Sequence, residues 1–140
     1  MELEAPDDAM MAVPTAVAAF VATGDEIHLE GVFAAAGVTI VENFAPYLFE
    51  GPDAVVRWKE GMHQHAMGLE GLRSKFGDPQ DFSVDGDRAF FTLPTSWRGS
   101  VQGTPFYEEG GWAFLLLREG GRWRLRSYGW AVTRLDLAKH

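Results

Sequence analysis

The sequence predicts an α+β domain in which three N-terminal helices pack on a strongly curved, mostly antiparallel sheet. Three observations carry that expectation. In the first half Val13, Val17, Phe20 and Val21 recur at helical spacing. Nearly all of the second half reads as strand and turn. Residues 111–130, GWAFLLLREGGRWRLRSYGW, form two apolar runs around Arg118-Glu119-Gly120-Gly121 and hold three of the five tryptophans, Trp112, Trp123 and Trp130. That pattern is a β-hairpin. An aromatic hairpin late in a short chain that opens with amphipathic helices implies a bent sheet closing over a pocket.

The elements follow in order. Residues 1–13 are an acidic, Met-containing leader, either frayed or a short extra helix. Pro14 suits a first helical position, where its missing N–H costs nothing, and the helix runs to about Thr23, ended by Gly24. Asp25 can cap a second helix whose apolar stripe is Leu29, Val32, Phe33 and Ala36, stopped by Gly37. Residues 38–43 (VTIVEN) are β-branched and read as a short strand, and Tyr47-Leu48-Phe49 as another extended piece. Gly51-Pro52-Asp53 opens a third helix to about Met67, with Val55, Trp58, Met62 and His65 or Ala66 facing inward. Leu72–Val84 is a strand broken or bulged around Gly77-Asp78-Pro79. Asp85-Gly86-Asp87 turns the chain into a strand over residues 88–98, and two more follow over 104–117 and 122–133. Residues 14–134 are expected to form one domain, with 135–140 a tail.

Composition narrows the function. With 140 residues and 46% apolar content the chain can bury a core without covalent staples. It has no cysteine, which excludes disulfides, thiolate metal sites and a cysteine nucleophile, and is compatible with a cytoplasmic location. The formal charge of −8 argues against nucleic acid or an anionic membrane as partner. Arg118, Arg122, Arg124, Arg126 and Arg134 are a local exception. They solvate a strand face and pair with acids, or they form an anion site; the first reading is the simpler. The apolar run Ala9–Ala22 is too short to span a bilayer and is interrupted by Pro14.

The order of elements resembles the nuclear transport factor 2-like superfamily, in its SnoaL-like and ketosteroid isomerase-like branch. The residues that carry the resemblance are AFVATGDEIHLEGVFA (19–34), Val41-Glu42-Asn43, Gly51-Pro52-Asp53-Ala54-Val55, Gly86-Asp87-Arg88-Ala89 and Gly121-Arg122-Trp123-Arg124-Leu125. The resemblance covers about residues 14–134. It implies a cone-shaped, cystatin-like α+β barrel, a pocket between the concave sheet and the helices, and commonly a homodimer. It implies no single chemistry, because the fold hosts enzymes and binders alike.

The isomerase relatives use a carboxylate base on the first strand, with a phenol and a neutral carboxylic acid as oxyanion donors. Aligned here, the base falls on Asn43, the phenol on Phe20 and the acid near Gly111 or Ala113, so all three roles stand vacant. Glu42 is the nearest carboxylate, but alternation turns it away from the face of Asn43. Dehydratase-like chemistry would use histidines and tyrosines. His63 and His65 lie about 200° apart on a helix and cannot share one pocket or one metal. His65 fits the inward stripe; the competing reading is an ordinary helix-end histidine.

The expected catalytic set is therefore His65 as general acid/base, with Asn43 or Tyr128 orienting or polarising a carbonyl. Phe20, Trp58, Met62, Trp97, Trp112 and Trp130 are the expected pocket wall, although for any one of the aromatics taken alone core packing is the simpler reading. Trp97 and Trp112 can take either face. Arg126 joins them if alternation places it with Tyr128 and Trp130, where it would hold an anionic group or pair with Glu108 or Glu109. No metal site, cofactor motif, phosphate loop or nucleophile triad is present in the sequence. The expected ligand is an apolar or cyclic small molecule, acted on by cyclase, dehydratase or isomerase chemistry. The alternative is a non-catalytic ligand-binding or dimeric interaction module. An enzyme should hold a polar group of shifted pKa deep in the pocket; a binder should not.

Overall fold

The structure, a computed structural model, describes residues 4–137; the first three residues of the expected leader and the last three of the tail lie outside the described residues. Helix α1 (Asp8–Thr23) starts well before Pro14, which sits inside it. Asp7 sets the start: its side chain accepts from the Met10 N–H at 2.9 Å, satisfying one of the open donors of the first turn. Gly24, at φ 73°, ends it with its N–H on the Phe20 carbonyl.

Two helices pack on the sheet rather than three. Asp25 does cap, accepting from the Ile27 N–H at 3.0 Å, but it caps a single 3-10 turn, Glu26–Leu29. The chain beyond runs extended against Leu125, whose N–H donates to Val32 O at 2.7 Å while its carbonyl accepts from the Ala34 N–H at 2.9 Å. Val32 and Ala34 are buried and Phe33 only partly so, an alternation that belongs to extended backbone. The spacing of Leu29, Val32, Phe33 and Ala36 suits a helix, but the pairing with Leu125 satisfies backbone groups that a helix would have to satisfy alone.

The second helix, α2 (Ala54–His65), follows two short strands, β1 (Thr39–Val41) and β2 (Leu48–Phe49). The rest is β3 (Leu69–Phe76), β4 (Gln80–Asp85), β5 (Arg88–Val101), β6 (Thr104–Glu119) and β7 (Arg122–Leu137). The expected break near Gly77-Asp78-Pro79 separates β3 from β4. The sheet order is β2-β1-β7-β6-β5-β3, with β4 on the other half of β5. β1 runs parallel to β7, as does the single bridge of Phe33 to Leu125, and every other pairing between these strands is antiparallel. The turn between β6 and β7 is Gly120-Gly121, both at positive φ, the left-handed pair that a two-residue hairpin favours.

Register shifts on β3, β4 and between β6 and β7 curl the three long strands into a cone, because each bulge adds local twist. The core fills the concavity. Phe20, Trp58, Phe91, Phe114, Leu116, Leu125 and Tyr128 are almost wholly sealed there. Among the described residues no helix is long and apolar enough to cross a membrane.

Candidate active site

At the open end of the cone lies a cavity of about 230 Å³, whose wall includes Glu42, Asn43, Met62, His65, Trp97, Glu108, Trp112 and Trp130. Its position follows from strand parity. On β1 Ile40 is buried, Val41 exposed and Glu42 buried again, so the residue just past the strand turns inward under the helices. Alternation holds, as expected, but it is Glu42 that takes the concave face. Asn43 stands exposed at the rim. The inward carboxyl at the end of β1 is therefore Glu42, one residue before Asn43.

Glu42 is 4% exposed, and its surroundings explain how a carboxyl survives there. Oε2 accepts two hydrogen bonds, from Tyr128 Oη at 2.5 Å and from Trp58 Nε1 at 2.9 Å. Oε1 accepts none from the described residues and is not among their sealed polar atoms; it is the oxygen left for the cavity. Burial pushes the carboxyl up to about 7, against the pull of the two donors, and the charge of Glu108 adds to the push. A group held near neutral pH with one free oxygen can both take and return a proton. The Tyr128 phenol is driven well above its ordinary value by burial and by the Glu42 charge, so it remains a donor.

Tyr128 and Trp58 therefore lie behind Glu42 and hold it. Phe20 is further back: its ring packs 5.2 Å from that of Trp58, and it lines a neighbouring hollow that shares Met62 with the main cavity. Trp97 and Trp112 both point inward, with rings 6.2 Å apart and perpendicular, and Trp130 packs 5.2 Å from Trp112. Trp112 Nε1 is a sealed N–H with no acceptor, a deficit of about 1–3 kcal/mol while it lasts. Trp130 lies over Gly110, where a Cβ would come within 2.5 Å of its ring.

His65 reaches the rim, its ring stacked 4.4 Å from Phe44, and partial burial holds its pKa below the usual histidine range. His63 points elsewhere and meets the Gly24 carbonyl at 3.2 Å. Arg126 is not in the wall. It is the extra residue of the bulge between β6 and β7, where Leu115 pairs with Ser127 and Leu116 with Leu125. The bulge reverses the parity on which its place beside Tyr128 depended, and its guanidinium donates to the Gly37 carbonyl instead. Three of the other four late arginines are engaged too. Arg118 pairs with Asp87, Arg124 with Glu119 and the Gly31 carbonyl, and Arg134 with Asp136 and Glu109.

Glu42 is the residue that sequence reasoning misplaced. A signal was present, because Val38, Ile40 and Glu42 share one face and the first two are the apolar pair. The alignment that put the base on Asn43 turned Glu42 to the opposite face instead. What reverses it is the pair of donors, contributed by residues 16 and 86 positions away.

No protein-family model and no curated protein matches the sequence. Solved structures do match it. Hexachlorocyclohexane dehydrochlorinase LinA-type3 from Novosphingobium barchaimii LL02 aligns with a TM-score of 0.77 over 93% of this chain and 88% of its own, at 9% identity. Rv3472 from Mycobacterium tuberculosis, a protein of unknown function, aligns at 0.72 over 90% and 70%, at 18% identity. The CaMKII hub of S. rosetta aligns at 0.71 over 94% and 100%, at 16% identity. These likenesses establish the fold: the chain has the nuclear transport factor 2-like α+β cone. That scaffold carries a dehydrochlorinase in one neighbour and a hub in another, so chemistry must be argued from the cavity.

Proposed function

We propose that this protein is an acid–base enzyme acting on an apolar, cyclic small molecule, with Glu42 as the group that takes and returns the proton. The observation that supports it is the cavity carboxyl itself. A ligand-binding module has no use for a sealed carboxylate displaced to about 7, whereas proton transfer at neutral pH needs one.

In this reading Glu42 Oε1 removes a proton from a substrate carbon beside a carbonyl. The C–H electron pair moves into the carbonyl, leaving an enolate oxygen. The Asn43 amide and the His65 imidazole are the cavity's available donors to that oxygen. Glu42, now protonated, returns the proton to the same substrate at carbon. Tyr128 and Trp58 are positioning residues that fix the carboxylate and set its pKa. His65 thereby moves from principal base to rim donor, and the reaction is of isomerase type, needing no cofactor.

The test is proton exchange into a probe ketone. In D₂O at neutral pH, wild-type protein should accelerate deuterium incorporation at the α-carbons of 2-tetralone, followed by proton NMR. Glu42→Gln should lose about 100-fold or more of that acceleration. An unaccelerated rate, with Glu42 titrating near an ordinary carboxylate value by carbon-13 NMR, would return the protein to the binding-module reading. The same proposal includes a homodimer, supported by the exposed cross-strand pair Val41 and Leu48 on the outer edge of the sheet.

A further inference from the structure

The cavity wall has a composition that the proton-transfer reading does not use. Glu108 lines it, and so do Glu42, three tryptophans and a row of aliphatic side chains, yet among the described residues no lysine or arginine does. Glu108 occupies the concave face of β6, opposite Trp97 on β5 and Leu135 on β7, both of which are also wall residues. It forms no ion pair with the described residues, although its neighbour Glu109 is engaged by Tyr107 and Arg134. A half-buried carboxylate without a counter-charge is unfavourable, and more so beside a second carboxyl and aromatic walls that exclude water.

We infer that the ligand brings the missing positive charge: the cavity takes an apolar cyclic molecule bearing a basic nitrogen, with Glu108 as counter-ion and Trp97 beside it. This rests on the reading of the cavity as a substrate site. An ammonium suits both features at once, because it pairs with a carboxylate and is attracted to the faces of indole rings. The alternative occupant, a neutral or anionic ring system, would leave Glu108 unpaired and, if anionic, would be repelled by both carboxyls. The surplus of acids over bases, 20 to 12, draws cations toward the molecule from a distance.

The experiment compares two probes of one shape, protonated 2-aminotetralin and neutral 2-tetralol, by tryptophan fluorescence at pH 7.5. The ammonium should bind wild-type protein at least tenfold more tightly than the alcohol. Its affinity should fall with added salt while that of the alcohol does not. Glu108→Gln, checked for folding by circular dichroism, should remove most of the preference. Equal binding of the two probes, a preference that survives in Glu108→Gln, or no binding by either probe would overturn the inference. Each of those results is separable from failure of the parent reading, which is decided independently by the titration of Glu42 and by exchange into 2-tetralone.

Discussion

Glu42 decides more about this molecule than any other side chain, and its energetics run in two directions. Its ordinary pKa is near 4.5 and its folded value about 7, so between those values the native state binds more protons than the unfolded one. Stability contributed by that proton is present below pH 4.5 and lost as pH rises through 7. The displacement corresponds to about 3 kcal/mol at pH 8. Glu42→Gln removes the ionisation while keeping an acceptor for Tyr128 and Trp58. It is therefore expected to unfold at higher denaturant concentration than wild type at pH 8, with the difference vanishing near pH 4.5. Tyr128→Phe acts oppositely on the charge. Losing the phenol donor should move the Glu42 titration above 7, read by carbon-13 NMR, because a hydrogen bond to the ionised form disappears.

Two elements carry matched tests of how local sequence shapes the cavity. On β6 a Cβ at Gly110 would meet the Ala131 carbonyl at 2.3 Å and the Trp130 ring at 2.5 Å, whereas one at Gly111 meets nothing within 4 Å. Gly110→Ala should cost about 1–3 kcal/mol in chemical denaturation and shift the tryptophan emission. Gly111→Ala should stay within about 0.5 kcal/mol of wild type. At the start of α1, Asp7→Ala removes the side-chain cap on Met10 and should cost about 1 kcal/mol. The same elements show what was legible in the chain. The Gly120-Gly121 hairpin was, because few residues other than glycine tolerate both left-handed positions. The start of α1 was misread because Pro14 resembled an N-terminal signal, while Asp7, the true cap, lay in a segment taken for leader. The second helix failed because Gly31 and the pairing with Leu125 are a long-range alternative that no local periodicity reveals.

For the molecule as a whole, the charge of −8 and the cavity carboxyls act together. Glu108 is also raised by burial, so its contribution to stability has the same sign as that of Glu42. His65, lowered by burial, opposes them by favouring higher pH, but it stands at the exposed rim where solvent weakens the effect. Wild-type protein should therefore lose stability between about pH 5 and pH 8, followed as the midpoint of urea unfolding. A midpoint that rises across that range would mean the Glu42 carboxyl is not buried as described. In solution, light scattering should return twice the monomer mass if the outer sheet edge with Val41 and Leu48 is a homodimer interface.

Fold class was written in local chemistry. Helical spacing in the first half, turn glycines, and aromatic strands in the second half each constrain nearby residues, and together they admit little besides helices over a bent antiparallel sheet. The aromatic hairpin at residues 111–130 already implied a walled pocket. The acid in that pocket is different in kind. Whether a charged residue at the end of a short strand turns inward depends on donors that arrive from other elements, here Trp58 on α2 and Tyr128 on β7. Arg126 leaves the wall for the same class of reason, since a bulge changes parity and is set by pairing between strands. Hydrophobic periodicity records where apolar groups go, and it cannot record which buried polar groups will find partners.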